Sequence, residues 1–268
     1  MLSDFIPVIN RLPVAEHPHQ VTVIPLADAH YGSQEFNETR WHNTIKRIQD
    51  DPHCYCVLVG DLIDNGLKNS LTDVYRATAS PMAQKEWIRN ELTPIKDKIL
   101  CAVGGNHEHR NAREVDQDPL YDVMLQLGIE DKYRQNLAFM QVRMSYKNQA
   151  GKDRQRAEWS FAVTHGNGGG MYIGSSANRV QTFGSAIEGI DCLVTGHSHK
   201  PLTFPVAKLV FEHGSVVRRQ FVVAVASSFL DYGGYPVRKM MTPTAQTTTE
   251  IILTYWNDGK KTIKVTQE

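Results

Sequence analysis

Five short apolar runs recur over the first three quarters of the chain and predict buried β-strands. They occupy residues 21–28, 54–61, 99–106, 160–166 and 191–197. The runs are rich in β-branched residues and are nearly continuous, which is typical of strands that are buried on both faces. The pattern therefore predicts a sheet that is covered on each side.

Helical periodicity appears between these runs. Segments 36–50, 80–99 and 118–129 each repeat apolar residues at helical spacing, and Asn37 or Thr39 is a candidate cap for the first helix. Strands that alternate with helices predict right-handed crossovers and an α/β fold.

The pattern changes past residue 200, where strand-like runs follow one another with few helical stretches between them. The runs 221–230, 250–256 and 261–267 predict a second sheet packed on the first. The chain contains no internal repeat and no Pro/Ser-rich linker, so we expect a single domain over residues 1–268.

Composition adds little about partners but bears on location. Lys+Arg and Asp+Glu both total 29, so the formal net charge is zero and no global field attracts nucleic acid or an anionic membrane. The four cysteines lie inside apolar runs, as expected for buried, reduced thiols. The N-terminal residues do not resemble a signal peptide, and no apolar segment approaches the ~20 residues of a membrane span. We therefore expect a cytoplasmic protein without a membrane partner.

Each of the five apolar runs ends in polar residues that can bind metal or phosphate. These clusters are Asp28-Ala29-His30, Gly60-Asp61, Gly105-Asn106-His107-Glu108, Thr164-His165-Gly166 and Gly196-His197-Ser198-His199. Ligands of open α/β sheets bind at the carboxyl ends of the strands. Although any single aspartate at a strand end is usually a turn former, five such clusters predict one crevice.

The residue types in these clusters suit two divalent cations. Carboxylate, amide oxygen and imidazole together favour Mn, with Fe, Zn or Ni as alternatives, over Ca or thiolate-bound clusters. Two-metal phosphoryl chemistry holds its ions ~3.5–4 Å apart, which requires a carboxylate that bridges them.

The ordered blocks D-x-H, GD-x-x-D, GNHE, H and GHSH resemble those of the calcineurin-like metallophosphoesterase superfamily. The resemblance implies a two-sheet β-sandwich flanked by helices, in four α/β/β/α layers. It also implies that Asp28, His30 and His199 bind one metal, that Asn106, His165 and His197 bind the other, and that Asp61 bridges them.

The activity implied is that of a metallophosphoesterase, acting as a phosphatase or phosphodiesterase on a small phosphoester or nucleotide. A hydroxide that bridges the metals would attack phosphorus in line, and His107 would assist as general acid. Asp64 resembles the family's carboxylate that orients this histidine, with a surface carboxylate as the alternative.

Phosphate binding is less well defined by the sequence. Arg110 is a candidate phosphate clamp, or one of an exposed loop pair with His109. The protein-phosphatase branch of the superfamily has an arginine where this chain has Asn65. Its absence argues against protein phosphoserine as the substrate, with Arg110, Arg113 and Arg179 as the candidate replacements for that arginine.

Two further functions remain as alternatives. A nuclease or cyclic-nucleotide phosphodiesterase would use the same metal chemistry on a diester. A non-catalytic nucleic-acid-binding subunit would rely on basic residues such as those of a predicted hairpin tip, for which a solvated hairpin is the competing interpretation: Lys147, Lys152, Arg154 and Arg156. The sequence lacks none of the seven ligand positions, which favours catalysis over a scaffold that lost its metals.

Overall fold

The computed structural model describes residues 4–13, 19–67, 74–147, 153–168, 170, 172–256 and 260–268. Its strands are β1 (Val8–Pro13), β2 (His19–Leu26), β3 (Cys54–Leu58), β4 (Ile99–Val103), β5 (Tyr133–Arg134), β6 (Leu137–Lys147), β7 (Asp153–Thr164), β8 (Cys192–Thr195), β9 (Leu202–Glu212), β10 (Ser215–Val225), β11 (Thr249–Tyr255) and β12 (Lys261–Gln267). Its helices are α1 (Glu38–Asp50), α2 (Pro81–Leu92), α3 (His109–Val115), α4 (Pro119–Leu127), α5 (Ile173–Ser185) and α6 (Gly234–Arg238).

These strands form two mixed sheets of six strands each. Sheet 1 has the order β12-β11-β2-β3-β4-β5, and sheet 2 has the order β1-β6-β7-β8-β10-β9. The strands from β2 to β5 run parallel, as do β7, β8 and β10, so each sheet presents a row of strand carboxyl ends at one edge.

Three apolar clusters fill the spaces between the layers. The largest lies between the sheets and includes Val23, Val59 and Trp159. A second packs the outer face of sheet 1 against α1, α2 and α4, and a third packs the outer face of sheet 2 against α5. The predicted four-layer sandwich is therefore confirmed, with two helical layers around two sheets.

The first helix forms where its apolar spacing predicts. Trp41, Ile45 and Ile48 are all buried on the face turned to sheet 1. The cap is Asn37 rather than Thr39, because the Asn37 side chain accepts a hydrogen bond from the Arg40 N–H at 2.9 Å.

The assignment of strands to sheets differs from the prediction. β11 and β12 do not belong to a separate late sheet but extend sheet 1, where Ile251 pairs with Val23. Conversely, β7 and β8 lie in sheet 2, although their apolar runs resemble those of sheet 1. The sequence predicts where a strand lies but not its neighbour, since pairing partners are set by contacts between distant segments.

Several elements were not predicted at all. They include β1, β9 and α5, and α5 begins within the glycine-rich segment 167–176. The proposed basic hairpin tip lies outside the residues whose side chains are described. Trp159, beside that tip in sequence, is 1% exposed in the intersheet core and is not a surface aromatic.

Two further findings concern the helices and the cysteines. Among the described residues, no helix is both long and apolar enough to cross a bilayer. All four cysteines are buried free thiols, and burial raises the pKa of Cys54 to about 11 and that of Cys101 to about 12.

Candidate metal centre

The five polar clusters meet at one edge of the sandwich, where strand ends of both sheets converge. Three clusters follow β2, β3 and β4 of sheet 1, and two follow β7 and β8 of sheet 2. Backbone hydrogen bonds connect them, since Asp28 N donates to Gly60 O at 3.1 Å and Gly196 N donates to His165 O at 3.0 Å. The crevice therefore lies between two sheets, and not at the edge of one sheet as the sequence predicted.

The first group of ligand-type atoms joins residues that lie far apart in the chain. His30 Nε2 and His199 Nε2 lie 3.2 Å apart, and His199 Nε2 lies 3.2 Å from Asp28 Oδ1. Asp28 is completely buried, and its Oδ1 atom has no hydrogen-bond partner within the described part of the chain. A buried carboxylate oxygen without such a partner is costly unless a cation binds it.

The second group contains Asp61, Asn106, His165 and His197. His165 Nε2 lies 3.2 Å from each of Asp61 Oδ2, Asn106 Oδ1 and His197 Nδ1. The other nitrogen, His165 Nδ1, lies 2.7 Å from Val59 O, so its N–H donates to that carbonyl and the Nε2 lone pair faces the group.

Asp61 lies between the two groups. Its Oδ2 atom is 3.2 Å from His165 Nε2 of the second group and 3.8 Å from His30 Nε2 of the first. Its Oδ1 atom accepts a hydrogen bond from His107 N at 2.8 Å, which fixes the carboxylate orientation. The structure thus places this carboxylate where a bridging ligand would lie.

The donor set fits divalent cations. Metal–ligand bonds of about 2.0–2.2 Å place adjacent donor atoms of one coordination sphere about 3 Å apart, and the separations in both groups are close to this value. Facing imidazole nitrogens and a buried carboxylate oxygen complete a set of donors that divalent metals favour.

Backbone conformation distinguishes the candidate ligands from ordinary strand-end residues. Five of the seven have positive φ, with values from 48° to 65°: Asp28, His30, Asp61, His197 and His199. Non-glycine residues seldom adopt this conformation, and at functional sites its cost is offset by the surrounding structure. Because β8 ends at Thr195, His197 and His199 are on a turn and not on the strand that their spacing predicted. The turn directs His197 to the second group and His199 to the first.

The close approach of the backbone at residue 105 to Asp61 requires glycine at that position. A Cβ atom on Gly105 would lie 2.2 Å from Asp61 Oδ1 and 2.3 Å from Asp61 N. No side chain fits at that separation, so Gly105 allows the third strand end to approach the second.

Glu108 supports the centre from within the core. It is 1% exposed, and its carboxylate accepts hydrogen bonds from the backbone N–H groups of Asp61, Leu62, Ile63 and Gly105. Burial and the nearby Asp61 carboxylate raise the pKa of Glu108 to about 7. Glu108 therefore holds the turn after β3 against the turn after β4.

His107 is held beside the two groups by Asp64 and Arg110. Its Nδ1 atom lies 2.7 Å from the Asp64 carbonyl oxygen and 3.4 Å from Asp64 Oδ1, so the closer contact is to the backbone rather than to the predicted carboxylate. Arg110 donates to the same carbonyl at 3.0 Å and to His107 Nε2 at 2.9 Å. His107 Nε2 lies 3.8 Å from Asp61 Oδ2. The structure thus brings Arg110 into the site, not onto an exposed loop.

The remaining phosphate-clamp candidates are placed differently. Asn65 is buried where the protein-phosphatase branch has arginine, and its Nδ2 donates to His107 O at 2.7 Å. Arg179 of α5 donates to Asn167 O at 2.7 Å and lies against Gly168, on the glycine-rich segment. The Arg113 side chain lies outside the described residues. Lys200, which the sequence did not single out, donates to Gly170 O at 2.5 Å.

In the metal-free chain, the closeness of these side chains shifts the pKa values of several of them. Burial would raise the pKa of Asp28, but His199, His30 and His165 outweigh it and lower that pKa. Burial would lower the pKa of His165, but the Asp61 carboxylate raises it to about 10. Burial, reinforced by His107, lowers the pKa of His30 to about 4.

Comparison with known proteins gives a family match. The model of the calcineurin-like phosphoesterase family matches residues 21–201, which span every polar cluster described above. The chain belongs to the calcineurin-like phosphoesterase family. Membership confirms the resemblance on which the fold and the ligand assignment were predicted.

The chain also aligns with a solved structure. The crystal structure of Vps29 from Chaetomium thermophilum matches with a TM-score of 0.40 and 9% sequence identity, over 92% of this chain and 95% of that chain. No curated protein sequence matches the chain.

Proposed function

We propose that this protein is a dinuclear metal-dependent phosphoester hydrolase. The observation that carries the proposal is the position of Asp61 Oδ2, 3.2 Å from His165 Nε2 and 3.8 Å from His30 Nε2. One carboxylate oxygen between two sets of imidazole donors is the arrangement that a pair of bridged cations requires.

The proposed ligands divide between two metals. Asp28, His30 and His199 would hold the first, and Asn106, His165 and His197 would hold the second. Asp61 would be shared between them. Support comes from the 3.2 Å separations within each group and from the buried Asp28 Oδ1, which has no hydrogen-bond partner among the described residues and lies beside His199 Nε2.

When bound, two divalent cations would supply Lewis acidity and neutralise charge for in-line attack of water on a phosphoester. We propose Mn²⁺ for both, with Fe, Zn or Ni as alternatives, because the donors mix carboxylate, amide oxygen and imidazole.

His107 is the proposed general acid. Its Nδ1–H is held by the Asp64 carbonyl, which leaves Nε2 directed toward the centre, 3.8 Å from Asp61 Oδ2. From this position Nε2 can deliver a proton to the leaving-group oxygen. Asp64 is a positioning residue, because it acts through His107.

Arg110 is the proposed phosphate clamp. Its guanidinium already lies at the centre, in contact with His107 Nε2. A phosphoryl oxygen is a stronger acceptor for a guanidinium than a neutral imidazole, since the hydrogen bond is then between opposite charges. Arg110 would transfer to the substrate when it binds, and the freed His107 Nε2 would then take up a proton from solvent, which it could pass to the leaving-group oxygen.

The proposed substrate is a small phosphoester or a nucleotide. Asn65 replaces the phosphate-clamping arginine of the protein-phosphatase branch, which supports a substrate other than protein phosphoserine. Nucleic acid and cyclic nucleotides stay as diester alternatives that the same chemistry would serve. The four buried thiols support action in a reducing compartment such as the cytoplasm.

The test combines metal analysis with a hydrolysis panel. Purified protein is expected to carry two divalent ions per chain and to hydrolyse at least one of p-nitrophenyl phosphate, bis(p-nitrophenyl) phosphate, a cyclic nucleotide or single-stranded nucleic acid. Asp61→Asn should reduce both metal content and turnover, whereas the exposed control Glu86→Asn should change neither. Full activity after stringent chelation would contradict the proposal, as would two bound metals without hydrolysis anywhere in the panel.

A further inference from the structure

Strands β9 and β10 form a two-stranded ribbon that projects beyond the rest of sheet 2. β10 pairs with β9 over its whole length from Ser215 to Val225, but it pairs with β8 only from Val222 onward. The outer part of the ribbon, residues 207–220, therefore has no third strand beside it among the described residues.

One face of this ribbon is buried between the two sheets at one end and exposed to solvent at the other. Ala224 of β10 is buried between the sheets, and side chains two residues apart on a strand share a face. Counting outward in steps of two, Leu209, Phe211 and Val216 lie on the face of Ala224, yet they are 76%, 77% and 62% exposed. An apolar face that is buried at the root of the ribbon is thus uncovered at its tip.

Among the strands that the structure describes, none pairs with the outer edge of the same ribbon. β9 is the last strand of sheet 2, so one row of its backbone N–H and C=O groups faces outward. Edge strands of this kind pair readily with a second strand unless charge, proline or a bulge prevents it.

We propose that two copies of this chain associate through β9, which pairs antiparallel with β9 of the second copy about a two-fold axis at Val210. This register places Lys208 of each copy opposite Glu212 of the other, and Leu209 of each opposite Phe211 of the other. Both charge pairs are then attractive and both apolar pairs are cross-strand contacts. A two-fold axis repeats each pair, as expected of an isologous interface.

The residues on the ribbon are compatible with this pairing. Lys208 lies 3.2 Å from Glu188, and Glu212 pairs with Arg219, but the Lys208 and Glu212 side chains remain 27% and 33% exposed. Pro205, which has no N–H to donate, would lie beyond the five central pairs at residues 208–212.

Sedimentation analysis of the full chain over a wide concentration range tests the proposal. The expected result is reversible conversion of a 30.2 kDa species to one of twice that mass. A monomer at every concentration would overturn the proposal, and so would open-ended growth beyond the dimer, because a two-fold edge contact uses both free β9 edges and closes.

Two charge variants test the register. In Lys208→Glu and in Glu212→Lys, both charge pairs become repulsive, so each variant alone should dimerise about tenfold more weakly. A mixture of the two restores opposite charges at both pairs, so it should associate more tightly than either variant alone. Changes in the contacts to Glu188 or Arg219 within one chain cannot produce that recovery. A mixture no tighter than its components would overturn the register.

A further variant tests the apolar face. Phe211→Asp should weaken the dimer at least about tenfold without lowering the melting temperature, because the side chain is exposed. Leu125→Asp, at a 51% exposed position of α4, is the matched control and should leave association unchanged. Equal effects of the two variants would contradict the proposed interface.

Discussion

Arg110 Nη2 lies 2.9 Å from His107 Nε2, the nitrogen that would donate a proton to the leaving group. A guanidinium N–H can only donate, so Nε2 accepts this bond while Nδ1–H donates to the Asp64 carbonyl. In this state His107 Nε2 holds no proton of its own and is bonded to Arg110, so it can act as a proton donor only after Arg110 moves away.

His107→Ala is expected to separate chemistry from metal binding. Turnover of an alkyl phosphoester should fall by about 10²-fold or more, because its leaving group needs a proton. Turnover of p-nitrophenyl phosphate should change far less, and metal content should not change. His42→Ala, on the exposed side of α1, is the control. Equal losses on both substrates would remove His107 as the proton donor.

Arg110→Ala should raise KM, since a phosphate clamp is lost. It should also change how much activity is lost when His107 is replaced. Residues that act through one contact give non-additive losses. The double variant Arg110→Ala/His107→Ala should therefore lose less activity than the product of the two single losses. Strict additivity would show that the 2.9 Å contact has no role in turnover. Arg89→Ala, on α2, is the control.

The sequence predicted all seven candidate ligands and His107, because their residue types recur after apolar runs in a family order. It did not predict that Asp28 and His197 lie in positive-φ turns, since nothing in the type of an Asp or His residue requires that conformation. Nor did it predict that β11 pairs with β2, because such pairing depends on contacts more than 200 residues apart in the chain. For Asp64, the backbone carbonyl lies 2.7 Å from His107 Nδ1 and the carboxylate oxygen 3.4 Å, and the residue type alone does not predict that the carbonyl is the closer of the two.

Proton release should accompany metal binding. In the metal-free chain the pKa of His165 is about 10, raised from 6.5, so its imidazole is protonated at about pH 8. A metal requires the Nε2 lone pair, so binding displaces that proton, and metal affinity should rise with pH up to about 10. His30, with a pKa of about 4, has no proton to release there. Calorimetry in buffers of different ionisation enthalpy should measure about one proton released, and none would contradict the assignment.

The same shift predicts how the metal-free chain responds to alkali. Protonation of His165 stabilises the fold because its folded pKa exceeds the unfolded value of 6.5. This contribution is complete below pH 6.5 and is lost as pH rises through about 10. The metal-free protein should therefore melt at progressively lower temperature across that window, and His165→Asn should flatten the dependence.

Gly105→Ala should disrupt the centre without any change of ligand. The added Cβ would overlap Asp61 Oδ1 and N, at 2.2 and 2.3 Å, so the turn after β3 must move. We expect loss of metal and reduced thermal stability. Gly174→Ala is the matched control, because it lies in α5 with no atom within 4 Å of the added Cβ, and should stabilise by about 0.5–1 kcal/mol. Retained metal in Gly105→Ala would contradict the requirement for glycine.

Ligands drawn from both sheets give the proposed metals a mechanical role besides a chemical one. Asp28, His30 and Asp61 follow strands of sheet 1, whereas His165, His197 and His199 follow strands of sheet 2. A bound pair of cations would therefore connect the two sheets at their open edge. Sliding of one sheet over the other would then require metal–ligand bonds to break.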